Sequence, residues 1–402
     1  MKNYFFIVFA AGAIAAVVFG GRQTLPLSIE GINQIDTINY LQISFAFAIG
    51  QLINGTVTPL AGILSDKYGS AKTLLLGISL AFFGTIILPF TENTFLLMLC
   101  IGLFSSAGTG IANLPVIMSA INKILPQEKS SMAFGFVNAG SSVGQFLFAP
   151  LAGLLITLYG WQYSIFLSCI FLILIIPLCW FLKSNKKQNN ILSKNEELSL
   201  NKELSLLEML KLAFKTPSFI FLVLGFFVCG FHVAFITTHM PGVISSCGFN
   251  TNVAGWSIAF IGFFNIFGSL FAGWYISKNS MKNFLSYIYF SRAIIVIIFI
   301  LSPKDIFIVL TFSAALGFTY LSTVPPTAAL VGKMFGTSYM ATLFGITLFS
   351  HQIGGFIGAY LGGYFFTVFN SFDIFWILDA VLAIFAALIH FPIKERSFLA
   401  RS

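Results

Sequence analysis

Twelve stretches of the chain are apolar almost without interruption: residues 4–29, 39–64, 72–90, 95–121, 132–157, 162–182, 216–241, 252–277, 283–301, 305–330, 338–369 and 373–392. Each is long enough for a helix to cross a bilayer, which takes about twenty residues, and too long for a barrel strand of about ten. The pattern predicts twelve membrane helices. One longer polar stretch, residues 183–214, divides six segments from six. It opens KSNKKQNNILSKNEELSLNKELSLLEMLK and reads as a solvated linker, with residues 202–213 suited to an amphipathic helix on the membrane surface. The expected plan is all-α: an N-terminal six-helix bundle over 1–182, a linker over 183–214 and a C-terminal six-helix bundle over 215–402.

The two halves echo each other at an offset near 210. SSVGQFLFAPLAG at 141–153 reads against HQIGGFIGAYLGG at 351–363, so Gly144 meets Gly354, Phe146 meets Phe356 and Gly153 meets Gly363. The same offset sets Arg22 opposite His232. Two repeated bundles with a pseudo-twofold relation are a recurring transporter design, with substrate bound between them near the midplane.

Composition agrees. The chain is 57% hydrophobic and 8% charged, against roughly 25% charged for soluble domains. Its 49 Phe and 35 Gly suit close packing of membrane helices. The net charge of +8 does not signal nucleic acid, because of where it sits. Lys and Arg concentrate in one set of alternate loops and at the termini; the opposite set holds only Lys304, and Arg22 and Arg292 lie inside segments. That asymmetry puts both termini in the cytoplasm. The first segment is too long for a signal peptide and carries Arg22, so it reads as a membrane helix. The five Cys show no CxxC spacing and read as small core residues.

Between segments 2 and 3 stands GILSDKYGSAK, in which Gly62, Leu64, Asp66, Lys67, Gly69 and Lys72 fill a glycine-x-leucine-x-aspartate-basic-x-glycine pattern. This resembles the signature of the major facilitator superfamily. Gly62 is expected to let helices approach. Asp66 is expected to accept hydrogen bonds from a helix N-terminus and to pair with a cation, a bridge that would hold the cytoplasmic side shut. The second copy, GWYISKNSMK at 273–282, has Ser277 in place of the aspartate and should latch weakly or not at all. GQLINGTVTPLAGILSDKYG, GSSVGQFLFAPLAGLLITLYGWQYSI, GFHVAFITTHMPGVISSCGF and HQIGGFIGAYLGGYFF are similar to the monocarboxylate-transporter and oxalate/formate-antiporter branch, especially its bacterial members. The resemblance implies that Arg22 matches a basic first-helix residue that helps bind anions in some members. Asn265 stands where those proteins have an aspartate, and Ser269 where they have a carboxylate-binding arginine, so this chain departs from simple monocarboxylate carriers.

Polar groups inside the segments are the site candidates, since they are costly there. Arg22, Gln145, His232, Asn265 and Gln352 are expected to bind substrate, with the Arg22 guanidinium suited to an oxyanion. Gln51, Asn54, Asn138 and Ser142 are alternatives that can equally cross-link helices. Arg22 can also snorkel outward or pair with Glu30 or Asp36. Arg292 and Asp379 are expected to form a structural ion pair between segments 9 and 12. His239 precedes Met240-Pro241, an expected helix end. His390 is expected at the interface, and Pro325-Pro326 should interrupt segment 10.

No P-loop, nucleophile motif or metal-ligand spacing appears, so no enzyme, cofactor or metal is expected. The expected function is a secondary active transporter of the bacterial inner membrane. It would move a small organic solute, an anion in the first reading, by alternating access, driven by protons or by exchange. The expected state is a monomer in lipid with no nucleic-acid partner. An exporter of a metabolite, siderophore or drug, and a transporter-like sensor without turnover, are the alternatives.

Overall fold

The computed structural model describes residues 4–125, 127–183, 205–336 and 339–398. Among these, eleven helical spans are long and apolar enough to cross a membrane. They are α1 (Tyr4–Ile32), α2 (Tyr40–Tyr68), α3 (Ser70–Phe90), α4 (Thr94–Ile124), α5 (Gln127–Tyr159), α6 (Trp161–Leu182), α7 (Pro217–Ser246), α8 (Thr251–Ile276), α9 (Met281–Leu301), α10 (Ile306–Phe335) and α12 (Asp373–His390). The remaining long helix, α11 (Met340–Phe369), has 30 residues and no charged side chain. Eleven of the twelve expected spans are thus found among the described residues, and the twelfth corresponds to this helix. Most of the expected linker lies outside the described residues. Its last part, Leu206–Lys215, is a surface helix whose Ser205 and Glu208 form a capping box and whose Met209 and Ala213 are buried.

Local chemistry sets the ends. Asn39, Asn93, Asn250, Ser280 and Asp305 each accept a backbone N–H at a helix start. Gly69 and Gly160 link consecutive spans at φ of 93° and 98°, a region that favours glycine. Several spans are broken inside. Pro26 opens a short 3₁₀ turn, Pro26–Ser28, just after Arg22. In α4 the hydrogen bonding widens to a π-helical turn over Met98–Ser105. In α10 the helix stops at Thr319 and restarts at Val324, with Pro325 and Pro326 in the first turn of the new piece, where proline costs little. The expected end of α7 at Met240-Pro241 is not there: the helix runs on to Ser246 with Pro241 inside, as membrane helices tolerate.

The repeat has a packing meaning. A Cβ on Gly144 of α5 would run into the Ala16 backbone of α1, and one on Gly354 of α11 into the Phe227 backbone of α7. Each half is thus built on the same close helix pair. Between halves, α5 packs on α8 and α2 on α11.

The buried core divides unevenly. At the face where α1 begins and α12 ends, here the near face, the main apolar clusters of the two halves are separate. One joins Ile7, Leu74, Ile121 and Leu182 of α1–α6; the other joins Phe219, Leu285, Met334 and Ile393 of the second half. At the far face one cluster runs through both halves, uniting Leu25, Ile43 and Trp161 with Phe235, Ile258, Phe312 and Trp376. The halves are sealed together at the far face and separate toward the near face.

Candidate functional site

Arg22 occupies the last turn of the first piece of α1, which the Pro26 turn stops. A helix C-terminus favours a cation. Its guanidinium turns inward and donates from Nη2 to Gln51 Oε1 of α2 at 3.1 Å. Neither Glu30 nor Asp36 pairs with it, and among the described residues no carboxylate lies within 4.0 Å. It lines a cavity of about 30 Å³, with Gln51, Ser105, Ser106, Thr109, Thr237 and Thr238. Three of these hydroxyls stand at the end of the π-helical turn of α4 or within four residues after it, and Ser106 Oγ donates back to Ile101 O at 2.7 Å, five residues earlier. The cavity therefore offers one permanent cation and a ring of neutral hydrogen-bonding groups, drawn from both halves. That set suits an oxyanion.

The other four expected substrate residues are elsewhere. Gln145 is buried and donates to Ile258 O at 3.2 Å, tying α5 to α8. Gln352 donates to Asn54 Oδ1 at 3.3 Å, tying α11 to α2. Asn265 is a hub: Nδ2 donates to Ser142 Oγ of α5 at 3.2 Å, and Oδ1 accepts from Leu321 N at 3.2 Å, inside the break of α10. A buried amide finds its partners on the helices it faces, and each of these three has one in the opposite half. His232 is paired with Asp379, Nδ1 to Oδ2 at 2.6 Å, both buried.

That last contact corrects the expected ion pair. Arg292 does not meet Asp379. It is fully buried and donates from Nη2 to Tyr320 O at 2.6 Å and to Thr319 O, and from Nη1 to Cys229 Sγ at 3.6 Å. The cause is the break in α10, which leaves carbonyls at a helix C-terminus without helical partners, and a guanidinium serves them. His390, the last residue of α12, is buried at that helix end and stacked on Tyr289 at 5.1 Å.

The motif between α2 and α3 behaves partly as expected. Asp66 is 72% exposed and pairs with Lys123 of α4 at 2.6 Å, within its own half. Lys67 lies over the Tyr68 ring, and Gly69 makes the turn. Gly62 has no atom within 4 Å of a built Cβ, so it mediates no close approach in this conformation, in accord with the parted near face. In the second copy Ser277 bonds only the Trp274 carbonyl.

Sequence reasoning gave little weight to Gln51 and passed over Ser105, Ser106, Thr109, Thr237 and Thr238. The clusters SSAGTG and ITTH inside apolar runs were the available signal. It also left open what His239 meets: its ring bonds Tyr40 Oη of α2 at 2.9 Å and Ala359 O at 2.7 Å.

Comparison with known proteins agrees with this architecture. The Major Facilitator Superfamily model matches residues 5–359. An uncharacterized MFS-type transporter, YcxA, of Bacillus subtilis is 23% identical over 86% of this chain and 83% of its own length. The hexuronate transporter of Bacillus subtilis is 23% identical over 95% and 92%. Monocarboxylate transporter 12 of Mus musculus is 21% identical over 87% and 77%. Among solved structures, a D-xylose-proton symporter superposes with a TM-score of 0.76 at 16% identity, covering 98% of this chain and 99% of that one. With a family match over most of its length and the fold to go with it, the chain belongs to the Major Facilitator Superfamily and is a multi-pass membrane transporter, not an enzyme.

Proposed function

We propose that this transporter carries a small organic anion across a bacterial inner membrane by alternating access, with the Arg22 cavity as the anion subsite and the near face toward the cytoplasm. One observation carries the reading: Arg22 is an inward-turned guanidinium without a carboxylate partner among the described residues. A buried cation left uncompensated is expensive, and a substrate anion supplies the missing charge. The relatives named for monocarboxylates and hexuronates favour the same chemistry. Because Asn265 and Ser269 hold neither an acid nor a base where the monocarboxylate-transporter branch has both, charge recognition falls on Arg22. In this reading the carboxylate head is held by Arg22 beside Gln51 and the α4 hydroxyls once the cavity, about 30 Å³ in this conformation, widens to take it. The two six-helix halves, 1–182 and 215–402, are the rocking units.

The test is ligand-dependent thermal stabilisation and uptake in proteoliposomes, using D-glucuronate and L-lactate with glucose as the uncharged control. Losing a charge-assisted hydrogen bond costs about 1.5–3 kcal/mol, so Arg22→Ala should weaken anion binding roughly tenfold to a hundredfold while the protein still folds. Wild-type anion binding in that variant removes Arg22 from the site. Accumulation of substrate only by everted vesicles would mark an exporter, and binding without flux a sensor.

A further inference from the structure

We propose that the buried His232–Asp379 pair is the proton-carrying site of the transport cycle, and that its occupancy reaches the Arg22 cavity through Arg292 and the break in α10. The inference rests on the anion-transport reading for its coupling, and on the pair's own geometry for its proton.

Asp379 is the one carboxylate among the described spans that lies more than one turn inside a span. It is 1% exposed and His232 is 2% exposed. A pair kept only for structure would have its remaining polar atoms satisfied, because an orphaned buried polar atom costs about 1–3 kcal/mol. Here His232 Nε2 and Asp379 Oδ1 both lack a partner among the described residues, and so does Arg292 Nε nearby in the same half. The 2.6 Å contact lets Nδ1–H donate to the carboxylate, which leaves Nε2 as a bare lone pair. An incoming proton forms the Nε2–H bond and makes the imidazolium, held by the carboxylate. Release breaks that same N–H bond and leaves the Nδ1–H donor in place.

Titratable and charged groups come from several helices of the same half. Cys229 lies one turn away on α7. Arg292 and Tyr289 come from α9, Tyr320 from the break of α10 and His351 from α11, while α8 brings no charged residue. With His232 neutral, Asp379 offsets one of the two guanidiniums, Arg22 and Arg292, and one positive charge remains. Loading the proton raises that to two. A proton on His232 and an anion at Arg22 therefore favour each other, and the favour is reciprocal. The physical link is on hand. Arg292 grips the carbonyl of Tyr320, whose side chain lies within electrostatic reach of Arg22, and the next residue, Leu321, is held by Asn265, which reaches Ser142 in the other half. Arg292 also bonds Cys229 Sγ at 3.6 Å, one turn from His232 on α7, so a change of charge on that helix acts on a break in α10 that is bonded across the two halves.

The experiment uses the full-length protein in nanodiscs and in proteoliposomes. With ¹⁵N-histidine labelling and His232→Asn to assign the signal, His232 should be found in both protonation states between acidic and alkaline samples, and Asp379→Asn should change their balance. A His232 that keeps one protonation state over this range overturns the proposal, whatever the substrate is. In liposomes with D-glucuronate as probe, the ratio of uptake with and without an inward proton gradient should exceed one in the wild type, fall to about one in Asp379→Asn and recover in Asp379→Glu. Gradient-driven accumulation that survives Asp379→Asn also overturns it. If neither glucuronate nor lactate is carried, the anion reading fails and the protonation of His232 still decides the proton site.

Discussion

Glu395, just beyond α12, brings a carboxylate to the end of the second half where the motif copy has none. The sequence at 273–282 has no aspartate, and a weak latch was expected there. In the folded chain Glu395 Oε1 accepts from Ser280 Oγ and from Lys282 N, each at 2.7 Å, and Oε2 accepts from Lys333 at 3.2 Å. Partial burial pushes its carboxyl up, but the bonds from the α9 N-terminus and the charge of Lys333 together outweigh burial and hold it below the usual carboxylate range. A lowered folded value means that the stabilisation is fully present above the ordinary unfolded value of about 4.3 and is lost as pH falls through the lowered one. Glu395→Gln should therefore lower thermal stability in detergent at neutral pH by about 1 kcal/mol, and the gap to wild type should close on acidification below about pH 4. A gap that is the same at every pH would refute the charge as its source. No pattern in the sequence pointed to Glu395, because its partners are 62 to 115 residues away and meet it only once the ends of α9, α10 and α12 come together.

At the scale of elements, the sequence was most legible where one residue type answers one geometric need. The spans followed from length and hydropathy. The interruption of α10 followed from Pro325-Pro326, and the repeat from glycines at matched depth. Those glycines sit where α5 meets α1 and α11 meets α7, so bulk there forces the backbones apart. Gly144→Val and Gly354→Val should each cost at least about 1–3 kcal/mol and reduce the folded yield. Gly62→Val, with open space around its built Cβ, should leave the thermal stability of this conformation near wild type. Equal losses at Gly62 and Gly144 would mean that the close helix pairs are not what the glycines serve. Polar pairing was much less legible. Arg292 and Asp379 are both interior charges on neighbouring spans, which made them natural partners. The alternative partners of Arg292 were carbonyls freed by a helix break, and the nearer partner of Asp379 was a histidine on a third helix. Helix assignment alone fixes neither. The amides Gln145, Asn265 and Gln352 failed as cavity residues for a related reason: sequence gives depth along a helix, whereas the choice between cavity and opposite half depends on rotation about it.

For the whole molecule, the single core at the far face and the divided core at the near face define the conformation, and they state what reversing it requires. The far face must part between α2 and α11 and between α5 and α8. Its most specific cross-half bond joins Tyr40 of α2 to His239 of α7. The Ala359 carbonyl can only accept, so His239 Nε2 carries the proton, and in the neutral ring Nδ1 must then accept from the Tyr40 hydroxyl at 2.9 Å. Around this bond Tyr40 packs on Phe366 at 4.7 Å, and Phe366 stacks on Phe372 at the same distance. The aromatic packing is non-directional and survives removal of the hydroxyl, while the hydrogen bond does not. Tyr40→Phe should thus keep the fold and remove about 1 kcal/mol from the far-closed state alone, shifting the equilibrium roughly fivefold toward a far-open one. A cysteine at Ser44, which lies buried against Gly363 in the sealed face, reports the shift. In a Cys247→Ser background, Ser44→Cys should react with a membrane-impermeant maleimide applied from the far side several times faster when Tyr40→Phe is also present. An unchanged labelling rate would show that packing alone holds the far face shut, and that the Tyr40–His239 bond follows the closure without contributing to it.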